Sequence, residues 1–439
     1  MRPRALTPLR RLAAVRPTAR GGGLLGAGGV LAAVGVVLDL PDLVGLGAAG
    51  VLVVLVAWAS LAWQHLDSGR GALDVTRSVD PHPVVAGSTA TTALRVAVRH
   101  RTGAAFERLA RLRLSEQAAH ELAGTTGIRA HVRSAPDRID VTYQLTPVRR
   151  GRWGLGPVLT TRTDVFGLVR TTQPLGVTTR VAVWPRTTAL SVRAPALGDL
   201  DRAATGARLS ATDDTVLREY VAGDDPRRVH WAASARQGHL IVRADEGAGF
   251  RPVTVLLDRA LLAPAPEDRP GARPASHQAV EDGEWAVSLA ASVAVSFLEA
   301  GHPTRLVATT TAPERTEHTA GARAGRARLL DATVDLTGIG GDAVRALTRT
   351  VQVVRAGRSQ SEITVAVVGP LDQAGRHALA SLGADGVCWA VLVVPRGTGM
   401  RHDVTPTADA LRAAGWRVAT CPPGTDPSLA WSALTGRVA

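Results

Sequence analysis

The chain contains no lysine, no asparagine and only two cysteines. A phosphate-cradling P-loop needs its lysine to reach the phosphates, so the chain is not itself an ATPase of that class. Schiff-base and pyridoxal chemistry need the same amine and are excluded with it. Without asparagine there is no N-glycosylation acceptor and no Cys-His-Asn triad. Cys388 and Cys421 lie in strand-like apolar contexts, where buried, reduced thiols are the default of a cytoplasmic domain. No cysteine or histidine cluster has zinc-ligand spacing. The net charge of +13 is therefore carried by arginine. Outside the amino-terminal arm the arginines are interleaved with Asp and Glu and form no like-charge block. That dispersal fits a solvated surface better than a nucleic-acid footprint.

Two long runs also lack charge, 21–38 and 43–63, with Pro41-Asp42 between them. Each approaches the roughly 20 apolar residues that a spanning helix needs. They predict a two-helix transmembrane hairpin in the lipid bilayer over 21–65. A second full-length run with no clear cleavage site argues against a signal peptide. The arm 1–20 holds Arg2, Arg4, Arg10, Arg11, Arg16 and Arg20 and no acid, while the loop between the runs has no basic residue. Positive charge stays inside, which predicts a cell (inner) membrane protein with both termini cytoplasmic. Trp58 and Trp63 fall near the inner end of the second run as interfacial aromatics. Gly22 with Gly26, and Gly45 with Ala49, give small-xxx-small spacing for close helix approach.

After the hairpin the pattern alternates with period two, as in 94–98, 139–145, 158–163 and 181–184, punctuated by Asp80-Pro81, Gly151, Gly154 and Gly167. Short strands with turn signals predict an antiparallel β-sandwich over 70–190. A linker and a dense motif follow over 191–250. From 251 to 439 strand and helix alternate. The continuous apolar run 253–257 reads as a strand covered on both faces. Trp285, Leu289, Val293 and Phe297 form a helical stripe. Strands are expected at 306–308, 363–368, 387–394 and 417–420, with helices near 372–382 and 407–414. The Pro-rich 262–276 and the polar 311–328 read as surface insertions. The second domain is thus α/β with a mostly parallel sheet.

The motif reads REYVAGDDPRRVHWAASARQGHLIVRADE. It supplies Arg218, Tyr220, Gly223, Asp224, Asp225, Arg227, His230, Trp231, Ser234 and Arg236 as candidate binding residues. Gly223 permits a sharp turn, Asp225 can cap a helix opening at Pro226, Trp231 can anchor one face, and Gly238 stops the helix. Together with the upstream RRGRWGLGPVLTTRTDVFGLV, this motif resembles the signature of the domain of unknown function 58 (DUF58) family. The resemblance implies a β-sandwich followed by a von Willebrand factor A-like (Rossmann-like) domain. It also implies partnership with a MoxR-type AAA+ ATPase, often beside a transglutaminase-like membrane protein, in a bacterial envelope setting.

Metal-binding von Willebrand A domains end their first strand in Asp-x-Ser-x-Ser. Here the positions read Asp258-Arg259-Ala260-Leu261-Leu262, so both hydroxyls are missing and one carboxylate remains for a hard cation such as Mg²⁺. Asp258 is expected to pair with an arginine, and no cofactor is expected. Ser234 and His230 are four apart, but no nucleophile elbow surrounds them. His82, His100, His120 and His131 carry no pattern, and Asp213-Asp214 and Asp224-Asp225 fit caps and turns. No catalytic set emerges. The expectation is a membrane-anchored cytoplasmic scaffold or adaptor. Its rivals are a metal-dependent enzyme acting near the membrane and an arginine-mediated nucleic-acid binder.

Overall fold

The computed structural model describes residues 15–63, 73–100, 106, 109, 112–124, 130–192, 217–219, 231–238, 240–243, 251–264, 276–359, 362–396 and 403–436. They form two compact units, Met1–Val183 and Trp184–Ala439.

The first unit opens with a short strand, β1 (Val15–Pro17), then helix α1 (Ala19–Val37) and helix α2 (Pro41–Trp63). Both helices are long and apolar enough to cross a membrane. Thr18 caps α1, accepting from Gly21 N. The turn is tight: Asp39 takes a positive φ of 55°, which its short polar side chain tolerates, and Leu40 N donates to Gly35 O at 2.8 Å. The packing face differs from the expected one. A Cβ on Gly47 would lie 2.5 Å from Gly28 O, and one on Gly35 would lie 2.8 Å from Val44 N. Gly22, Gly26 and Gly45 meet nothing within 4 Å. The buried glycines of α1 are Gly21, Gly28 and Gly35. Gly28 and Gly35, seven residues apart, keep one seam facing the partner helix, as in a coiled coil, while Gly21 meets Leu168 instead; several glycines in one run left the choice of face open to a pattern search.

The other described residues of the unit form antiparallel strands and one short helix, His120–Ala123. One sheet runs β2 (Leu73–Asp80), β4 (Ala90–Val98), β7 (Arg138–Leu145), β6 (Ala130–Ala135). The other is built on the long β8 (Gly151–Thr163). β8 pairs antiparallel with β10 (Thr179–Trp184), β9 (Val169–Leu175) and β5 (Arg113–Ala118), while β3 (Val84–Val85) lies beyond β10. Side chains from both sheets, among them Leu94, Val96, Tyr143, Leu155, Val158 and Val181, form one buried cluster. Gly154 lies inside β8 rather than at a strand boundary, while Gly151 opens the strand. A Cβ at Gly151 would stand 2.9 Å from the Trp153 ring, so glycine there serves close approach. β1 is a further difference: the end of the basic arm pairs with β9 as an edge strand.

The second unit begins at Trp184. Thr188 N and Leu190 N donate to Ser292 Oγ and Ser296 Oγ, each at 2.9 Å, and Ser191 O accepts from Trp431 Nε1 at 2.9 Å. A two-stranded ribbon pairs β11 (Leu217–Glu219) with β12 (Ile241–Arg243), and the main sheet is β13 (Val253–Leu257), β14 (Thr304–Ala308), β15 (Ile363–Val368), β16 (Val387–Val393) and β17 (Arg417–Cys421), ordered β14-β13-β15-β16-β17 and parallel throughout. Alternate residues of β13 enter separate clusters. Val255 and Leu257 pack toward the helices His277–Glu299 and Pro427–Thr435, and Leu256 packs toward Ala343–Ala356, Gln373–Ala380 and Thr405–Ala413. Helices thus cover both faces, which accounts for uninterrupted apolar strands. Phe297, Trp389 and Trp431 meet edge-on or tilted, with Trp389 and Trp431 centroids 5.5 Å apart. The helix Ala322–Val334 begins within the stretch read as a polar insertion. Cys388 and Cys421 are buried free thiols.

Candidate functional site

In a parallel sheet with this strand order, ligands bind at the carboxyl ends of the strands, where the chain direction of the crossovers reverses, here between β13 and β15. Asp258 ends β13 at that point. It is 2% exposed. Its main-chain N–H donates to Val367 O at 3.0 Å. Its Oδ1 accepts from Ala260 N at 3.0 Å and from Thr309 Oγ1 at 3.3 Å. Thr309 in turn accepts from Arg259 N at 2.8 Å. Among the described residues no arginine pairs with Asp258. Arg259 sends its Nε to Thr337 O at 2.6 Å instead, because the 3₁₀ turn Arg259–Leu261 carries that side chain away from the capped carboxylate.

Burial pushes the Asp258 carboxyl above its ordinary range, and the Ala260 N–H and Thr309 hydroxyl only partly oppose it. A divalent ion demands charged oxygen donors. The two positions where hydroxyls would help are Ala260 and Leu262, and among the described residues no group of three or more His, Cys, Asp or Glu side chains could hold a metal. The donor set does not fit Mg²⁺. Two outcomes follow for Asp258→Asn, whose amide oxygen can keep both accepted bonds. A raised folded-state pKa means that stability is intact below the unfolded carboxyl value and is lost as pH rises through the folded one. The variant should therefore unfold at or above the wild-type temperature at pH 7 and lose any advantage near pH 3. Millimolar Mg²⁺ should shift neither melt.

Tyr220, Gly223, Asp224, Asp225, Arg227 and His230 of the dense motif lie outside the described residues, and so does the His230–Ser234 pairing. What is described is a strand Leu217–Glu219 paired antiparallel with Ile241–Arg243, with Arg218 opposite Val242, and a helix Trp231–Gln237 between them. Gly238, at a φ of 74°, ends that helix as expected, its N–H donating to Ser234 O at 2.9 Å. Ser234 is buried and Arg236 exposed. Trp231 is 69% exposed, so it is not the buried anchor that its place in the motif suggests. Trp231→Ala should change unfolding free energy by no more than about 0.5 kcal/mol, as exposed substitutions do, read by urea titration.

A second polar cluster lies toward the opposite, amino-terminal ends of the strands, and the sequence reading passed over it. Glu362, with no exposure, accepts from Arg305 Nη2 at 3.0 Å, from the Thr254 hydroxyl, and from Ser359 N at 3.1 Å. Arg305 also donates from Nε to Thr254 Oγ1 at 2.6 Å and from Nη1 to Thr316 O at 3.0 Å. His318 Nε2 stands 3.4 Å from the carboxylate. The only local signal is an arginine at the start of an apolar strand.

Residues 216–405 match a family model described as "Protein of unknown function DUF58". The Arg149 to Val169 pattern lies outside that span. No curated protein matches the chain. Among solved structures, a "von Willebrand factor type A from Catenulispora acidiphila" is 15% identical with a TM-score of 0.29, the match covering 42% of this chain and 41% of that one. The chain therefore spans less than half the length of that structure. The "PilB minor pilin from Streptococcus sanguinis" is 8% identical with a TM-score of 0.28, covering 85% of this chain and 88% of that one.

Proposed function

We propose that this chain, whose residues 216–405 carry the DUF58 signature, is a membrane-anchored scaffold that presents a von Willebrand factor A-like domain to protein partners on the cytoplasmic side. The observation that carries the reading is the strand-end site. Its carboxylate is buried, capped by its own backbone and short of the hydroxyls a metal would need, so the edge where related sheets place ligands is left to serve as a rigid surface. A protein-interaction module is what that arrangement supports. The sheet of the second unit has the strand order of doubly wound α/β domains, and the first unit reads as a β-sandwich built on its hairpin. The arginine-rich arm and the loop at 38–40, which holds Asp39 and no basic residue, favour cytoplasmic termini in the inner membrane. On the family resemblance, the partner is a MoxR-type AAA+ ATPase working in complex assembly or envelope processes, beside a transglutaminase-like membrane protein.

The test is crosslinking of the full chain in native membranes, followed by affinity capture. Recovery of the ATPase with wild type, reduced by charge reversal at exposed Arg349 and Arg345 near that edge, supports the reading. Recovery of neither candidate partner under conditions that retain the chain in the membrane sinks it.

A further inference from the structure

The turn at 164–168, the Asp-Val-Phe-Gly-Leu of the upstream motif, has no role in the reading above. It is rigid. Asp164 accepts from Phe166 N at 3.0 Å and from Val169 N at 2.8 Å through its two carboxylate oxygens, and Gly167 N returns to Asp164 O at 3.1 Å. Gly167 sits at a φ of 71°. This well-held turn nevertheless projects two apolar side chains, Val165 at 82% and Phe166 at 70% exposure.

Its position supplies the reason. Thr18, the cap of α1, donates from Oγ1 to Gly167 O at 2.6 Å and from its main-chain N–H to Leu168 O at 2.8 Å. Leu168 O comes so close to α1 that a Cβ on Gly21 would lie 2.0 Å from it. Leu168 and Val169 are buried with Val54, Ala57 and Leu61 of α2, and Trp58 Nε1 donates to Val15 O at 3.3 Å. The turn is therefore bolted to the first turn of one apolar helix and the last turns of the other, at the level where the hydrocarbon-length segments begin. Around it the charge is cationic. Arg16 and Arg170 stand directly opposite each other across β1 and β9, a repulsive placement unless an anion lies between them. Arg20 reaches to 3.9 Å from the Cβ position of Gly167. All three are exposed, and none has a carboxylate partner among the described residues.

We infer that this turn is a membrane-interface foot: Val165 and Phe166 enter the headgroup–acyl boundary of the leaflet where the hairpin emerges, while Arg16, Arg20 and Arg170 bind phosphate oxygens of anionic phospholipid. The inference rests on the reading of α1 and α2 as a membrane hairpin. An aromatic and a branched aliphatic side chain suit that boundary, and guanidinium groups suit phosphate. The foot would fix the angle of the β unit on the membrane, which a hairpin alone does not.

The test uses the full chain in nanodiscs, with a nitrobenzoxadiazole label on Phe166→Cys, Val30→Cys or Val132→Cys; the buried native thiols leave wild type as the labelling blank. Val30 lies within α1, and Val132 is exposed on β6. Lipids carry nitroxides at shallow or deep positions. The foot predicts quenching at Phe166→Cys by the shallow nitroxide, at Val30→Cys by the deep one, and at Val132→Cys by neither. Adding anionic phosphatidylglycerol should raise the Phe166→Cys quenching about twofold, and Arg16→Gln with Arg170→Gln should abolish that increment. Quenching at position 30 with none at 166 overturns the foot and leaves the hairpin standing. No quenching at either position overturns both. A blue-shifted label at 166 that no nitroxide reaches would mean that protein covers the turn, and also overturns the inference.

Discussion

Glu362→Ala should lower the unfolding free energy of the second unit by about 3–5 kcal/mol at pH 7, the usual cost of removing one partner of a buried pair. The carboxylate is fully enclosed and Arg305 is 4% exposed, so the truncation strands a guanidinium in a site with little water. Replacing the pair together, Glu362→Leu with Arg305→Met, should cost clearly less than the single change, because no bare charge remains. The pH dependence separates this role from mere packing. Burial pushes the Glu362 carboxyl up, but His318, the Thr254 hydroxyl and the Arg305 guanidinium outweigh it and hold the group at about 2. A lowered folded-state pKa contributes stability that is fully present above the unfolded value of about 4.3 and is lost as pH falls through the folded one. The gap between wild type and Glu362→Ala should therefore narrow between about pH 4 and pH 2. Urea titrations of the full chain across that range, followed by tryptophan emission, measure it. A gap that stays constant down to pH 2 would show that the ionised form contributes nothing.

What the sequence made legible followed from long, regular signals. The apolar runs located α1 and α2 to within a few residues. The buried strand at 253–257 and the stripe through Leu289, Val293 and Phe297 were plain, since both faces of the sheet and one face of the helix are apolar. Elements lost in the reading were those whose pattern is set by partners distant in sequence. β1 is three residues of a basic arm, a strand only because β9 offers an edge. Helix Ala343–Ala356 carries its buried face on Ala346, Leu347, Thr350, Val351 and Val354 between arginines, a stripe diluted by polar neighbours. The site was half legible. Asp258 was located at the right strand end and its missing hydroxyls were visible, but its true partner, Thr309, lies fifty-one positions on and no local spacing points to it. Arg305 and Glu362 are separated in the same way, by fifty-seven positions that hold two helices. Trp231 shows the opposite failure: a large aromatic in a dense motif invites burial, and the ring is out in solvent.

Gly47→Leu should force the hairpin apart, while Gly45→Leu, two positions away on the same helix, should leave it closed. The contrast follows from geometry. The carbonyl of Gly28 and the main-chain nitrogen of Ala32 lie 2.5 and 2.6 Å from where the first side-chain atom at 47 would stand. These are backbone atoms of α1 and cannot swing aside, so the helices must separate toward the roughly 8–10 Å axial distance of ordinary side-chain packing. Position 45 meets nothing within 4 Å, so a leucine there extends freely. Spin labels at the exposed Val30 and Leu52, read by pulsed dipolar spectroscopy in nanodiscs, should report a distance lengthened by about 2–3 Å and broadened for the first variant only. Within a membrane no hydrophobic force draws the helices back together, because lipid is as apolar as leucine; close packing is what holds them. Losing it should also loosen what is built on the hairpin's base. Val54, Ala57 and Leu61 of α2 share a buried cluster with Val15 of β1 and with Leu168 and Val169 at the start of β9. Gly47→Leu should therefore speed hydrogen exchange in β1 and β9, and equal effects from both variants would mean that the seam runs through neither glycine.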